Sequence, residues 1–146
     1  MATARPFLAE NQRQSERLRT LVTRLTDRDL ERSVGPEWTV ADALLHLAFW
    51  DLRAAVLVDR FERQGVTPSP ADVDVINEAI HAMTRALPPR ATARLAVEAA
   101  ERIDRGLRAV SDRVLDALPA AGSPFSLDRH AHRKEHLDEI ERALGS

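Results

Sequence analysis

The chain contains no cysteine and no tyrosine. The first absence excludes a disulfide framework, a cysteine-ligated zinc or iron–sulfur site and any cysteine nucleophile. The second removes tyrosine as a catalytic acid. Lys134 is the only lysine, so Schiff-base chemistry has one candidate, in a segment that reads as solvated. Long apolar runs are also missing: Ala54–Val58 is five residues long, and a bilayer span needs ~20. Met1–Pro6 lacks the apolar core of a secretory signal, so a cytoplasmic protein is expected. Neither sign of charge dominates. With 21 Lys+Arg against 23 Asp+Glu the net charge is −2, which does not suggest a nucleic-acid binder. There is no glycine-rich phosphate loop, no G-x-S-x-G elbow and no H-E-x-x-H.

What is present is a globular composition, 44% hydrophobic and 30% charged over 146 residues. That length predicts one domain, 1–146, able to bury about 70% of the surface of its unfolded chain without a disulfide or metal. The pattern is helical nearly throughout. Leu18, Leu21, Val22 and Leu25 share a face of a helix running from about Pro6 to Leu25. Thr26-Asp27-Arg28-Asp29 resembles a capping box opening a short helix. After the break at Gly35-Pro36, Thr39 with Asp42 starts a long helix to about Arg63, which Gly65 ends. A third helix is expected over Asp72–Leu87, with Val75, Ile76, Ala79, Ile80 and Met83 on one side. A fourth is expected over Thr92–Leu118, with Leu95, Ile103, Leu107, Val110 and Val114 inward, and a last over Ser126–Leu144, with Leu137, Ile140 and Leu144 in register. No stretch shows period-2 alternation, and no repeat is present. The expected fold is all-α: a four-helix bundle with an extra short helix after the first long one. Periodicity does not give the helix order around it.

The histidines carry the chemical information. His132 and His136 lie four residues apart on one helix, about 400° of rotation, so both point the same way. They are either half-exposed surface residues or two neighbouring ligands of one metal ion. His46 lies in Val40–Trp50, apolar on nearly every side. An imidazole there is neutral and hydrogen-bonded in the core, or bound to a metal. Together the three can complete a face of three protein ligands with one position open, the usual layout of catalytic zinc. An all-imidazole set also suits nickel, iron, cobalt or copper. Asp42, one turn before His46, either orients its second nitrogen or serves only the Thr39 cap. Trp50, one turn after, walls a pocket or packs in the core. Asn77 hydrogen-bonds a ligand or is a satisfied buried amide. His130 reads as surface or rim and His81 as solvated, as do Asp128 and Glu135; Arg53 and Arg85 are weak candidates for an anion.

The segments Leu25-Thr26-Asp27-Arg28-Asp29-Leu30 and Gly35–Leu47, with His132-x-x-x-His136-Leu137-x-x-Ile140 on the last helix, resemble the two signatures of the DinB/YfiT-like superfamily. This superfamily includes the N-terminal domain of mycothiol-dependent maleylpyruvate isomerase. Asp74-Val75-Ile76-Asn77 resembles a further recurring piece. The resemblance implies a four-helix bundle holding a divalent metal ion (Zn, Ni, Fe or Mn) through His46, His132 and His136, and a homodimer. It also implies a transferase- or isomerase-type enzyme that uses a low-molecular-weight thiol, mycothiol or bacillithiol, on a small-molecule electrophile. The alternative function is a non-catalytic stress-response or small-molecule-binding bundle with a structural metal or none, and a helical dimerisation module is a third. No membrane or nucleic-acid partner is expected.

Overall fold

A computed structural model describes residues 4–145. Its helices are α1 (Phe7–Arg24), α2 (Asp27–Leu30), α3 (Val40–Gln64), α4 (Val73–Thr84), α5 (Pro89–Ala109), α6 (Asp112–Ala117) and α7 (Arg129–Leu144). A 3₁₀ turn over Leu118–Ala121 follows α6. Helix α1 packs on α5 and α7, and α3 packs on the same two. The bundle order is therefore the closed ring α1–α5–α3–α7, with α4 laid against the outside of α3. Among the described residues no helix is long and apolar enough to cross a membrane.

Local chemistry sets the boundaries that the sequence announces. Thr26 and Asp29 form a reciprocal capping box at the start of α2, and Thr39 and Asp42 do the same for α3. Gly65, at φ +87°, ends α3 in a conformation that L side chains resist. Between the two boxes the chain makes a short hairpin, β1 (Ser33–Val34) against β2 (Trp38–Thr39), with Gly35 at φ +76° in its turn. Two-residue strands are too short to show alternation, and periodicity misses them. Their effect is to seat Trp38 against the bundle.

Helix α3 is the axial element: Val40–Ala48 is buried all round, and Ala54, Ala55, Val58 and Phe61 continue the contact further along. Two apolar cores meet along it. One gathers Leu18, Leu21, Leu44, Ala96, Leu137 and Ile140. The other gathers Phe7, Phe61, Ile103, Leu107, Val114 and Leu118.

Two expectations are corrected. The helix expected over Thr92–Leu118 is interrupted at Val110–Ser111. Ser111 caps the N-terminus of α6, its own N–H donates to Glu62 Oε1 at 2.7 Å, and Arg5 takes the Leu107 and Val110 carbonyls at 2.9 and 2.7 Å. The helix can end there because residues far away in the chain satisfy its orphan groups. On α4, Val75 and Met83 are 58% and 56% exposed and Ile80 is the buried apolar residue. The main neighbour of this helix is α3, so only a narrow stripe of it is covered.

Candidate metal centre

Helix α7 presents the site, and polar contacts fix its rotation. Its N-cap, Asp128, makes no side-chain cap bond. Instead Asn11 on α1 reaches across: its Oδ1 accepts from the His130 N–H at 2.8 Å and its Nδ2 donates to the Leu127 carbonyl at 2.9 Å. Four residues on from Arg129, Arg133 is fully buried with all five N–H groups placed. Nε donates to Asp51 Oδ2 at 3.1 Å, Nη1 to Asp104 Oδ2 and the Asn11 carbonyl at 3.1 and 2.8 Å, and Nη2 to Asp104 Oδ1 and the Ala100 carbonyl at 3.0 and 3.4 Å. Arg129 Nε donates to the other Asp51 oxygen at 2.9 Å. Two arginines and two carboxylates thus tie α7 to α1, α3 and α5. Burial raises the Asp104 carboxyl above the usual range, against the opposing pull of Arg133.

With α7 held so, His132 and His136 face His46 on α3. The three ring centroids form a triangle with sides of 4.7, 4.8 and 4.8 Å. One ring nitrogen from each lies within 4.8 Å of the others, and His46 Nε2 is 2.8 Å from His132 Nε2. Two metal–nitrogen bonds of ~2.1 Å span at most ~4.2 Å, so the set is close to ligating distance. His136 Nδ1 is buried without a hydrogen-bond partner, and the nearest carboxylate oxygen, Glu139 Oε2, is 3.7 Å away. Three imidazoles that each offer one ring nitrogen within 4.8 Å of the others form a donor set that fits a divalent cation of the zinc or nickel class.

Burial also prepares the ligands. Desolvation, with His136 adjacent, pushes His46 down to about 4, although Asn77 works the other way. Desolvation, then His136, His46, Arg129 and Arg133, pushes His132 down to about 2. Desolvation also lowers His136, opposed by Glu139 and Glu135. At neutral pH all three are neutral, the state that metal ligation requires.

A cavity of about 380 Å³ reaches His46 and His132, walled by Trp50, Val73, Arg129 and Glu135 among others. The opposite side is covered by Trp38, edge-on to His46 at 5.0 Å and stacked on His136 at 6.2 Å. Access therefore runs along the α3–α7 side, past Trp50. Asn77 Oδ1 lies 3.1 Å from His46 Nδ1 and 3.0 Å from Trp50 Nε1. Asp42 does not orient His46: its Oδ2 serves Thr39, and its Oδ1 meets His81 Nδ1 at 3.0 Å. His81, expected in solvent, is half-buried between Asp42 and Arg85. It lies on the side of α4 that meets α3.

His130 stays at the rim, 3.6 Å from Asp128. Asp128 and Glu135 are exposed as expected, yet both line the cavity. Arg53 is occupied by the Ser69 carbonyl and the Trp50 ring. Trp38, Asp51 and Asp104 carry no spacing signal that marks them, and Arg129 and Arg133 carry a faint one. The one available hint is an arginine four residues from another on the flank of a paired-histidine helix.

Among protein families, the model of the mycothiol maleylpyruvate isomerase N-terminal domain matches residues 12–140. No curated protein and no solved structure matches the chain.

Proposed function

The chain belongs to the DinB-like family of mycothiol maleylpyruvate isomerase N-terminal domains, and from that premise we propose a divalent-metal-dependent enzyme that joins a low-molecular-weight thiol to a small electrophile. The observation carrying this reading is the convergence of three neutral imidazoles, His46 buried and His132 and His136 half-buried, within 4.8 Å, two of them at the wall of a cavity of about 380 Å³. His46, His132 and His136 would hold the ion, which when bound would keep a coordinated thiol deprotonated at neutral pH. Trp50 and Val73 give the electrophile an apolar wall. The exposed Glu135 carboxylate, on the cavity side of α7, can accept the thiol proton and pass it to solvent. Trp38 shields the far side of the imidazoles from water. Mycothiol and bacillithiol are the thiols proposed. Cytoplasmic residence and a homodimeric state belong to the same reading, and sedimentation equilibrium tests the second.

The test is metal content of the purified protein, followed by metal-dependent thiol consumption against a panel of electrophiles. A variant with His46, His132 and His136 all changed to alanine should lose the metal and the activity while keeping its helical circular dichroism. Unchanged metal stoichiometry in that variant refutes the site. Bound metal without thiol consumption favours the non-catalytic binding bundle.

A further inference from the structure

The hydrogen bonds around His46 decide which of its nitrogens carries hydrogen. Trp50 Nε1 can only donate. The Asn77 side-chain atom 3.0 Å from it must therefore be the amide oxygen, so the indole fixes which way the amide points. That same oxygen lies 3.1 Å from His46 Nδ1. Oxygen there can only accept, so Nδ1 is the donor. A neutral imidazole has one hydrogen, and Nε2 is left with a bare lone pair directed at His132 Nε2, 2.8 Å away. In the metal-free protein the hydrogen between those two nitrogens then belongs to His132.

We infer that Asn77 is a positioning residue for His46: with Trp50 locking its amide, it holds hydrogen on Nδ1 and keeps the Nε2 lone pair aimed into the three-histidine site. Three residues on two helices are needed. Trp50 follows His46 by one turn on α3, and Asn77 comes from α4. Helix α4 buries little besides Ile80 and Thr84, so the amide is one of the few directional contacts that dock it. The same helix contributes Val73 to the cavity wall. A partner that fixes tautomer and ring orientation raises ligand basicity, and its loss weakens metal binding about 10–100-fold.

This inference rests on the metal-centre reading only for its affinity arm. The first measurement is made on metal-free protein with isotope-labelled histidine, reading the imidazole nitrogens by NMR. Wild type should show His46 with hydrogen on Nδ1, and Asn77→Leu should lose that preference. The second is zinc and nickel affinity by competition with a chromophoric chelator. Asn77→Leu and Asn77→Ala should bind about 10–100-fold more weakly. Asn77→Asp, which accepts from the same two donors, should retain wild-type affinity. Trp50→Phe, which frees the amide to turn, should weaken binding less than Asn77→Leu does. A purely structural role for Asn77 would not move the tautomer. Hydrogen on Nε2 of His46 in wild type, or Asn77→Leu with an unaltered tautomer, overturns the inference. Wild type that binds neither ion refutes the metal centre, while the tautomer still decides this question.

Discussion

Replacing Arg133 by methionine isolates what the buried ion network contributes. The methionine keeps most of the aliphatic stem, so the apolar packing of a side chain that is fully buried changes little. What goes is the guanidinium and its five donated hydrogen bonds. Asp51 keeps Arg129 at 2.9 Å, but Asp104, 5% exposed, loses both of its Arg133 contacts. Breaking one partner of a buried pair costs about 3–5 kcal/mol, because the remaining charge stays buried without compensation. Against a total stability of ~5–15 kcal/mol, that is a large share, and it should lower Tm by about 10 °C or more. The double variant Arg133→Met with Asp104→Leu should recover most of the loss, since it removes the stranded carboxylate. The sign with pH is also fixed. Asp104 is already raised by burial, and without Arg133 it rises further. The folded variant then binds a proton that the unfolded chain has released, so its deficit relative to wild type shrinks as pH falls. Urea denaturation followed by circular dichroism, repeated across pH, measures all three quantities. A single-variant loss under ~1 kcal/mol, which an exposed ion pair would give, or a deficit that grows towards acid, refutes the reasoning.

Wild-type stability should itself fall as pH drops below the ordinary histidine value of 6.5. His46 is held down to about 4, so between those values the unfolded chain binds a proton that the native site does not, and His46 alone accounts for up to ~3 kcal/mol by pH 4. A denaturation series across this range that shows no slope counts against a site of three neutral imidazoles. Gly65→Ala should cost about 1–3 kcal/mol through backbone strain alone, because φ is +87° there and an added Cβ meets nothing within 4 Å. Thermal melting with unchanged metal binding is the expected result, and an unchanged Tm would show that α3 ends without need of that conformation.

The parts of the fold legible in the sequence are those set by neighbours in the chain. Both capping boxes, the end of α3 at Gly65 and the apolar face of α1 follow from residues within a few positions of one another. The break between α5 and α6 is illegible because the apolar period of Leu107, Val110 and Val114 runs straight across it, while its cause is Arg5, more than 100 residues away. Val75 and Met83 keep helical spacing, yet spacing does not reveal that α4 lies on the outside of the bundle with α3 as its main neighbour. At the site, the i, i+4 pair and the apolar setting of His46 were readable. The partner at His46 Nδ1 was not settled, since Asp42 is near in sequence and Asn77 is near in space.

Helix α7 is legible as a helix but not in what sets its rotation, and the reason ties the fold to the site. Its buried positions are Arg129, Arg133, Leu137 and Ile140, spaced as a helix face should be but half of them charged. A hydrophobic pattern is blind to that half. Yet those arginines set the helix's rotation, and one residue of rotation, ~100°, separates the Arg133 face from the one that carries His132. A turn of α7 that exposed the arginines would swing His132 and His136 away from His46. The same two guanidinium groups add their charge to the burial that keeps His132 uncharged. A core of leucine at these positions could hold α7 equally well, but it would neither select this rotation so sharply nor repel a proton from the imidazole next to it. The ionic core is thus better explained by the orientation and charge state of the histidine face than by stability alone.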